Sequence, residues 1–249
     1  MNDDALLTLL HDTVDAIVAA LATHEDWGLV GGERSDEYKH DVVADAAALK
    51  VLGGAPVGVL SEESGITDFD RDLIVVLDPV DGSTNASHGL PWFATSLCAV
   101  DADGPRAALV VNLGTGARFA AVRGGGATLN GRPIHPSTTT EMSGALVALS
   151  GMPAQGHLGW RQYRALGASA LDMCAVAAGM VDAFIDCYHQ PAHGPWDYLG
   201  GMLICQEAGA VVTDRYGEDL VVLEHQARRN PIAAATPALL EECIKKLNN

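Results

Sequence analysis

The feature that most constrains this chain is an apolar run, Leu73-Ile74-Val75-Val76-Leu77, that passes without a break into Asp78-Pro79-Val80-Asp81-Gly82-Ser83-Thr84-Asn85. Such a run reads as a strand buried on both faces, and it delivers two carboxylates to its own end. Pro79 has no N–H and fixes its own φ, which suits the first position past a ladder, while Gly82 permits close backbone approach or an unusual dihedral. Gly82, Ser83 and Thr84 then read as the start of a short helix whose free N–H groups point at an anion. The plain alternative for this stretch is an acidic turn chosen for turn propensity alone. A second strand-like run, Val57 to Leu60, closes in Ser61-Glu62-Glu63, so two strands each finish in acids.

A third segment, Gly194-Pro195-Trp196-Asp197-Tyr198-Leu199-Gly200-Gly201, places Asp197 where a helix should begin. There it reads either as a helix cap or as a further ligand. Gly200 and Gly201 weaken a helix unless another backbone packs closely against them, which points to a crowded junction around Asp197. If Glu62, Asp78, Asp81 and Asp197 converge, each pair of like charges about 4 Å apart repels by roughly 4 kcal/mol at an effective dielectric of 20. Such a cluster needs cations or protons. All-oxygen ligation, with the Val80 carbonyl as a further donor, suits a hard ion and favours magnesium where phosphate oxygens complete the octahedron; zinc would want His or Cys.

With 249 residues and 48% hydrophobic content, the chain can bury a large core. Its 32 acidic against 15 basic residues give a formal charge of −17, which argues against nucleic acid or an anionic membrane as partner. Cys98, Cys174, Cys187, Cys205 and Cys243 stand singly, suggesting neither a disulfide framework nor a zinc knuckle, and a reduced cytoplasm fits best. No apolar run approaches membrane-spanning length.

Helical spacing of Leu6, Leu7, Leu10, Val14, Ile17, Val18 and Leu21 predicts a first amphipathic helix, and an alanine-rich stretch from about Val42 to Leu52 predicts a second. Strands are expected at Val57 to Leu60, Leu73 to Leu77, Thr95 to Val100, Ala107 to Val111 and Arg118 to Val122. Beyond a connection at His135 to Glu141 come a strand at Leu146 to Leu149, a helix from Ser169 to Met180 and a strand at Ala183 to Cys187. A helix from Tyr198 to Ala208, two short strands and a helix from Pro237 close the chain. The pattern is an α/β (α+β) one, with sheets covered by helices. It divides into an N-terminal half, 1–135, carrying most of the candidate ligands, and a C-terminal half, 136–249, carrying Asp197, in one compact unit.

Taken together, the Asp78-to-Asn85, Ser61-Glu62-Glu63 and Trp196-Asp197-to-Gly209 segments resemble the inositol monophosphatase family of metal-dependent phosphatases, from about Tyr38 to Leu240. That resemblance implies a layered α-β-α-β-α sandwich and a site of two or three Mg2+ ions. By it, Glu62, Asp78 and the Val80 carbonyl hold the first ion; Asp78, Asp81 and Asp197 hold the second; and Glu63 stands behind the ligands. The backbone of Gly82 and Ser83 and the adjoining Thr84 take the phosphate. In similar enzymes a hydroxyl at the Ser83 position, paired with an upstream aspartate, orients the attacking water. Strict alignment puts Ala47 at that upstream position, so Asp45 after a small helix shift is the candidate, the alternative being Ser83 and metals alone.

Asp186 matches the position of an acidic contact to a substrate hydroxyl. The following connection, holding His189 and His193, is longer than usual for the family; an ordinary loop, a substrate contact by His193 and a metal pair are its three readings. Gly124-Gly125-Gly126 reads as a tight hairpin, since no P-loop lysine follows. The resemblance implies a lithium-sensitive phosphomonoesterase, homodimeric like similar proteins, acting on a small phosphorylated substrate, foremost inositol monophosphate. Histidinol phosphate and fructose 1,6-bisphosphate are the enzymatic alternatives. The loss of the aspartate at Ala47 motivates a reading of another class, a non-catalytic protein that binds magnesium or a phosphorylated ligand.

Overall fold

The computed structural model describes residues 1–25, 27 and 38–248. Its helices are α1 Asp3–Leu21, α2 Lys39–Leu52, α3 Ser83–Ser87, α4 Ser169–Ala177, α5 Pro195–Ala208 and α6 Pro237–Leu247. One group of strands comprises β1 Gly58–Ser61, β2 Gly65–Thr67, β3 Ile74–Asp81, β4 Ala94–Asp101, β5 Gly104–Asn112, β6 Arg118–Val122, β7 Gly126–Leu129 and β8 Arg132–Pro133. They form an eight-stranded sheet in the order β2-β1-β3-β4-β5-β6-β7-β8. The others, β9 Leu146–Ser150, β10 Gln162–Arg164, β11 Ala183–Asp186, β12 Val211–Asp214 and β13 Pro231–Ala234, form a five-stranded sheet in the order β10-β9-β11-β13-β12.

Five layers result, α-β-α-β-α. β3 shows why: all eight of its residues are buried, and its alternate side chains enter different cores. Val75 and Leu77 join Leu6, Leu10, Val14 and Ile17 of α1 and Ala44, Ala48 and Leu52 of α2. Ile74 and Val76 face the middle layer, where Met173 of α4 and Leu199 and Leu203 of α5 also meet Phe184 and Ala233 of the smaller sheet. A strand covered on both faces needs a continuous apolar run, which is what the sequence shows. The outer face of the smaller sheet packs on α6 through Leu239, Cys243 and Leu247.

α5 lies between the sheets because its surface is cut down at two positions. A Cβ on Gly200 would stand 2.9 Å from Ser96 Oγ and 3.2 Å from Val110 Cγ2, and one on Gly201 would stand 2.7 Å from Met173 Cβ. These contacts are the crowded junction that the two glycines suggested. The helix also begins three residues earlier than expected, with Pro195 in its first turn, a position where the missing N–H is harmless. α4 stops at Ala177, short of Met180, where Gly179 turns through φ 67° and the Met180 N–H returns to Ala175 O at 2.9 Å. The glycines at 124 and 126 do form a β6–β7 hairpin, and Glu207 of α5 accepts N–H bonds from both at 2.8 and 2.9 Å.

Candidate active site

β1 and β3 run parallel, with Ser61 paired to Leu77, and the Glu62 N–H extends the ladder to Leu77 O at 3.0 Å. The pairing of β1 with β3 therefore ends at that level, while β3 continues along β4 to Asp81, and Glu62 and Asp78 emerge side by side. Asp81 poses a geometric problem, because residues three apart on a regular strand face opposite sides. A bulge solves it: between Asp78 and Asp81 the β4 partner advances only from Ser96 to Ala94, so β3 holds one extra residue. Thr95 Oγ1 donates to Pro79 O at 2.8 Å and the Val80 N–H donates to Asp78 Oδ1 at 3.0 Å, fixing the bulged segment.

Asp197 comes from the first turn of α5, where its Oδ2 accepts the Gly194 N–H at 2.7 Å. It does cap the helix, and it also faces the strand ends: ligand oxygens of Glu62, Asp78 and Asp197 lie within 4.8 Å of one another. Asp81 stands beside them, with Oδ1 and Oδ2 taking the N–H groups of Ser169 at 3.3 Å and Ala170 at 2.7 Å from the start of α4.

The electrostatics of this cluster are unfavourable without cations. Burial, then the charges of Glu62, Asp81, Asp197 and Asp41, hold the Asp78 carboxyl well above the usual carboxylate range. Asp81 is raised by burial and by Asp197, against the Ala170 N–H that lowers it. Asp197 is raised by burial despite the opposing His193, Gly194 N–H and Arg228. An all-oxygen donor set that resists ionising together fits hard divalent ions, which would let every carboxylate carry its charge. The residues present could thus hold a metal.

Around the cluster is a cleft of about 290 Å3 lined by Tyr38, Asp41, Glu62, Glu63, Asp78, Val80, Asp81, Gly82, Ser83, Thr84, Gly167 and Asp197. Gly82 takes φ 87°, a left-handed value, and a Cβ there would meet Gly167 O at 3.0 Å and Trp92 O at 3.2 Å. The first turn of α3 thereby faces the cleft with N–H groups that have no acceptor within the helix. Asn85 holds this turn in place, its Nδ2 donating to Trp92 O and Leu166 O, each at 2.7 Å.

The upstream partner of Ser83 differs from expectation. Ser83 Oγ lies 2.7 Å from Asp41 Oδ1 and 2.7 Å from Val80 O. Asp45 instead accepts the buried Ser61 hydroxyl at 2.5 Å, and Ala47 is only partly buried against the α1–α2 core. Helical phase gives the reason: Asp45 lies one turn from Asp41 on the same face, so it reaches Ser61 at the end of β1, whereas six residues from Asp41 to Ala47 turn the side chain well off that face. His40, Asp41, Ala44, Asp45, Ala48 and Leu52 form the buried face of α2, and an expected helix start near Val42 leaves Asp41 outside it.

Neither Asp186 nor His193 is among the residues lining the cleft. Asp186 is 0% exposed, and its carboxylate accepts from Asn230 Nδ2 at 2.7 Å and the Tyr188 N–H at 2.9 Å and faces His193 Nδ1 at 3.0 Å. The long connection after β11 folds back to bury His193 beside Asp186, an outcome that spacing alone cannot reveal.

The sequence profile of the inositol monophosphatase family matches residues 41–249. The chain belongs to the inositol monophosphatase family. Its relatives include the chloroplastic phosphatase IMPL1 of Arabidopsis thaliana, 35% identical over 74% of this chain, which spans about half (54%) of that longer protein. A fructose-1,6-bisphosphatase/inositol-1-monophosphatase of Methanocaldococcus jannaschii is 32% identical over 81% of each chain. Among solved structures, a Pyrococcus horikoshii protein described as similar to inositol-1 monophosphatase superposes with a TM-score of 0.82 at 27% identity, covering 98% of this chain and 96% of its own. Members of the inositol monophosphatase family are metal-dependent phosphatases of the phosphoric monoester class, so a small phosphorylated substrate follows from membership. No helix among the described residues is long and apolar enough to cross a membrane.

Proposed function

We propose that the cleft hydrolyses a small sugar-like phosphate monoester, foremost inositol monophosphate, with two or three Mg2+ ions held by Glu62, Asp78, the Val80 carbonyl, Asp81 and Asp197. The observation that carries this reading is the convergence of Glu62, Asp78 and Asp197 from three distant stretches to within 4.8 Å, opposite the first turn of α3. Bound divalent ions would supply neutralisation of the phosphoryl oxygens and a more acidic water.

The chain's own groups do the rest. Backbone N–H groups of Gly82, Ser83 and Thr84 hold the phosphoryl oxygens in the orientation that in-line attack requires. The Ser83 hydroxyl has one proton and two acceptors at 2.7 Å; were the Val80 carbonyl to serve a cation, the hydroxyl would donate to Asp41 and its oxygen would be left to accept from the attacking water. Asp41 is then the base that takes the proton through Ser83. Glu63, at the rim, adds to the negative field that recruits cations. Asp41 removes the ground for a non-catalytic reading, which rested on a missing aspartate at Ala47.

With Asp186 engaged inside the protein, neither a polyol hydroxyl nor the amine of histidinol phosphate has that carboxylate to bind. Discrimination among esters rests on the cleft residues above. Lithium inhibition, a homodimer and a cytoplasmic setting belong to the same proposal. Phosphate release from inositol monophosphate, fructose 1,6-bisphosphate and histidinol phosphate, with Mg2+ present or chelated, tests it. Turnover of inositol monophosphate that vanishes on chelation is expected, and no turnover of any of them would overturn the reading.

A further inference from the structure

Asp81 is reached from outside the cleft by a buried polar chain. Both of its carboxylate oxygens accept N–H groups from the first turn of α4, at 3.3 Å from Ser169 and 2.7 Å from Ala170. A carboxylate held in this way can turn only if the end of the helix turns with it. Whatever fixes Ser169 therefore fixes the direction in which the remaining lone pairs of Asp81 point.

Ser169 is fixed by its side chain. Its Oγ lies 2.8 Å from His193 Nε2, and His193 Nδ1 lies 3.0 Å from Asp186 Oδ2. With Nδ1 donating to the carboxylate, Nε2 accepts the Ser169 hydroxyl in the neutral ring and donates to its oxygen in the protonated one, so the pair is kept in either state. Ser150 Oγ stands 3.3 Å from the same Nε2. The imidazole is held by its backbone too, through N–H to Arg229 O at 3.2 Å and Arg229 N–H to its own carbonyl at 2.9 Å. Asp186, Asn230, His193 and Ser169 are all buried, at 0, 0, 8 and 8% exposure. The order carboxylate, imidazole, hydroxyl is that of a hydrolytic triad, yet Ser169 is not among the residues lining the cleft and its hydroxyl is engaged by the imidazole.

We propose that Ser169, His193 and Asp186 are positioning residues that aim Asp81 at the metal, rather than contacts to the substrate. The inference rests on the reading of Asp81 as a metal ligand. It also explains the long connection after β11, which delivers His193 to the end of α4, so that the α4 end, the β3 bulge and the start of α5 are locked as one frame.

Binding of Mn2+, counted as the loss of free-ion signal in electron paramagnetic resonance, tests this on the full chain without turnover. Ser169→Ala should weaken Mn2+ binding about 3- to 10-fold, and Ser169→Thr, which keeps a hydroxyl, should bind within about twofold of the parent protein. In assays the half-activating Mg2+ concentration should rise by the same factor in Ser169→Ala, while KM for the phosphate ester at saturating Mg2+ stays within about twofold. His193→Leu should repeat the loss; where that variant does not fold, the two Ser169 variants decide alone. A raised KM with unchanged Mn2+ affinity would make the chain a substrate contact and overturn the proposal, as would equal Mn2+ binding by Ser169→Ala and the parent. Failure of the parent protein to bind Mn2+ at all would instead overturn the metal reading beneath it.

Discussion

Asp41→Asn and Asp45→Asn form a matched pair that isolates the proposed proton path. The two aspartates lie one turn apart on the buried face of α2, and each accepts from a serine hydroxyl, Asp41 from Ser83 at 2.7 Å and Asp45 from Ser61 at 2.5 Å. Replacing either carboxylate by an amide keeps volume and an acceptor oxygen, so the weakened serine hydrogen bond should cost each variant about 1.5–3 kcal/mol of stability. Activity should separate them. Only Ser83 lines the cleft and only Asp41 is joined to it, so Asp41→Asn removes a general base, an effect on the order of 10²–10⁴ in rate, or about 3–5 kcal/mol of transition-state stabilisation. Asp45→Asn should leave kcat within about fivefold. Steady-state phosphate release at saturating Mg2+, beside thermal melts of both variants, makes the comparison. Full activity in Asp41→Asn with loss in Asp45→Asn would refute the reasoning and return the catalytic role to Asp45.

Asp81→Asn should lower turnover by at least about a hundredfold with the fold kept, since a ligand charge is removed at nearly constant volume, at a stability cost of about 1–3 kcal/mol because the amide nitrogen must face one of the two N–H groups that the carboxylate accepts; unchanged kcat would count against the metal centre. Gly201→Ala should destabilise the fold by about 1–3 kcal/mol, because the added methyl meets Met173 Cβ at 2.7 Å, read as a lowered denaturant midpoint. Asp172, buried and accepting from Trp92 Nε1 at 2.9 Å, has its carboxyl pushed up to about 7, chiefly by burial. A raised folded-state value means that its contribution to stability is whole below the unfolded value near 4 and is lost as the pH rises through about 7. Asp172→Asn, which cannot ionise, should therefore gain on the parent by roughly 2 kcal/mol between pH 5 and pH 8, measured by denaturant titration at both; a constant difference would show that the folded-state value of Asp172 is not raised into this range.

What the sequence carried openly was whatever one element decides alone. β3 is a continuous apolar run because both of its faces are covered, and α1 shows its stripe because only one of its faces is. Short pieces held by their neighbours left no such mark: every side chain of β10 is exposed, so no periodic pattern could announce it. The candidate ligand acids were legible because each follows an apolar run or opens a helix, and local chemistry already singles out such positions. Asp41 was hidden by its own ordinariness, as one acid in the first turn of a helix, where acids belong in any case.

The site also shows why motif spacing underdetermines roles. Asp78 and Asp81 share a face only because β3 holds one more residue than β4 across the same interval, a fact that belongs to the pair of strands and not to either sequence segment. The same holds for Asp186. A short connection after the strand would leave its carboxylate free, but the one after β11 is long enough to double back, and burial without a partner is expensive for a carboxylate. Once His193 and Asn230 are within reach, pairing with them is the lower-energy arrangement, and the acid that alignment would hand to the substrate becomes part of the frame. Roles near a metal cluster are thus set by where the fold aims each acid: Glu62, Asp78 and Asp197 converge on the cleft, whereas Asp186 is satisfied by protein donors before any ligand arrives.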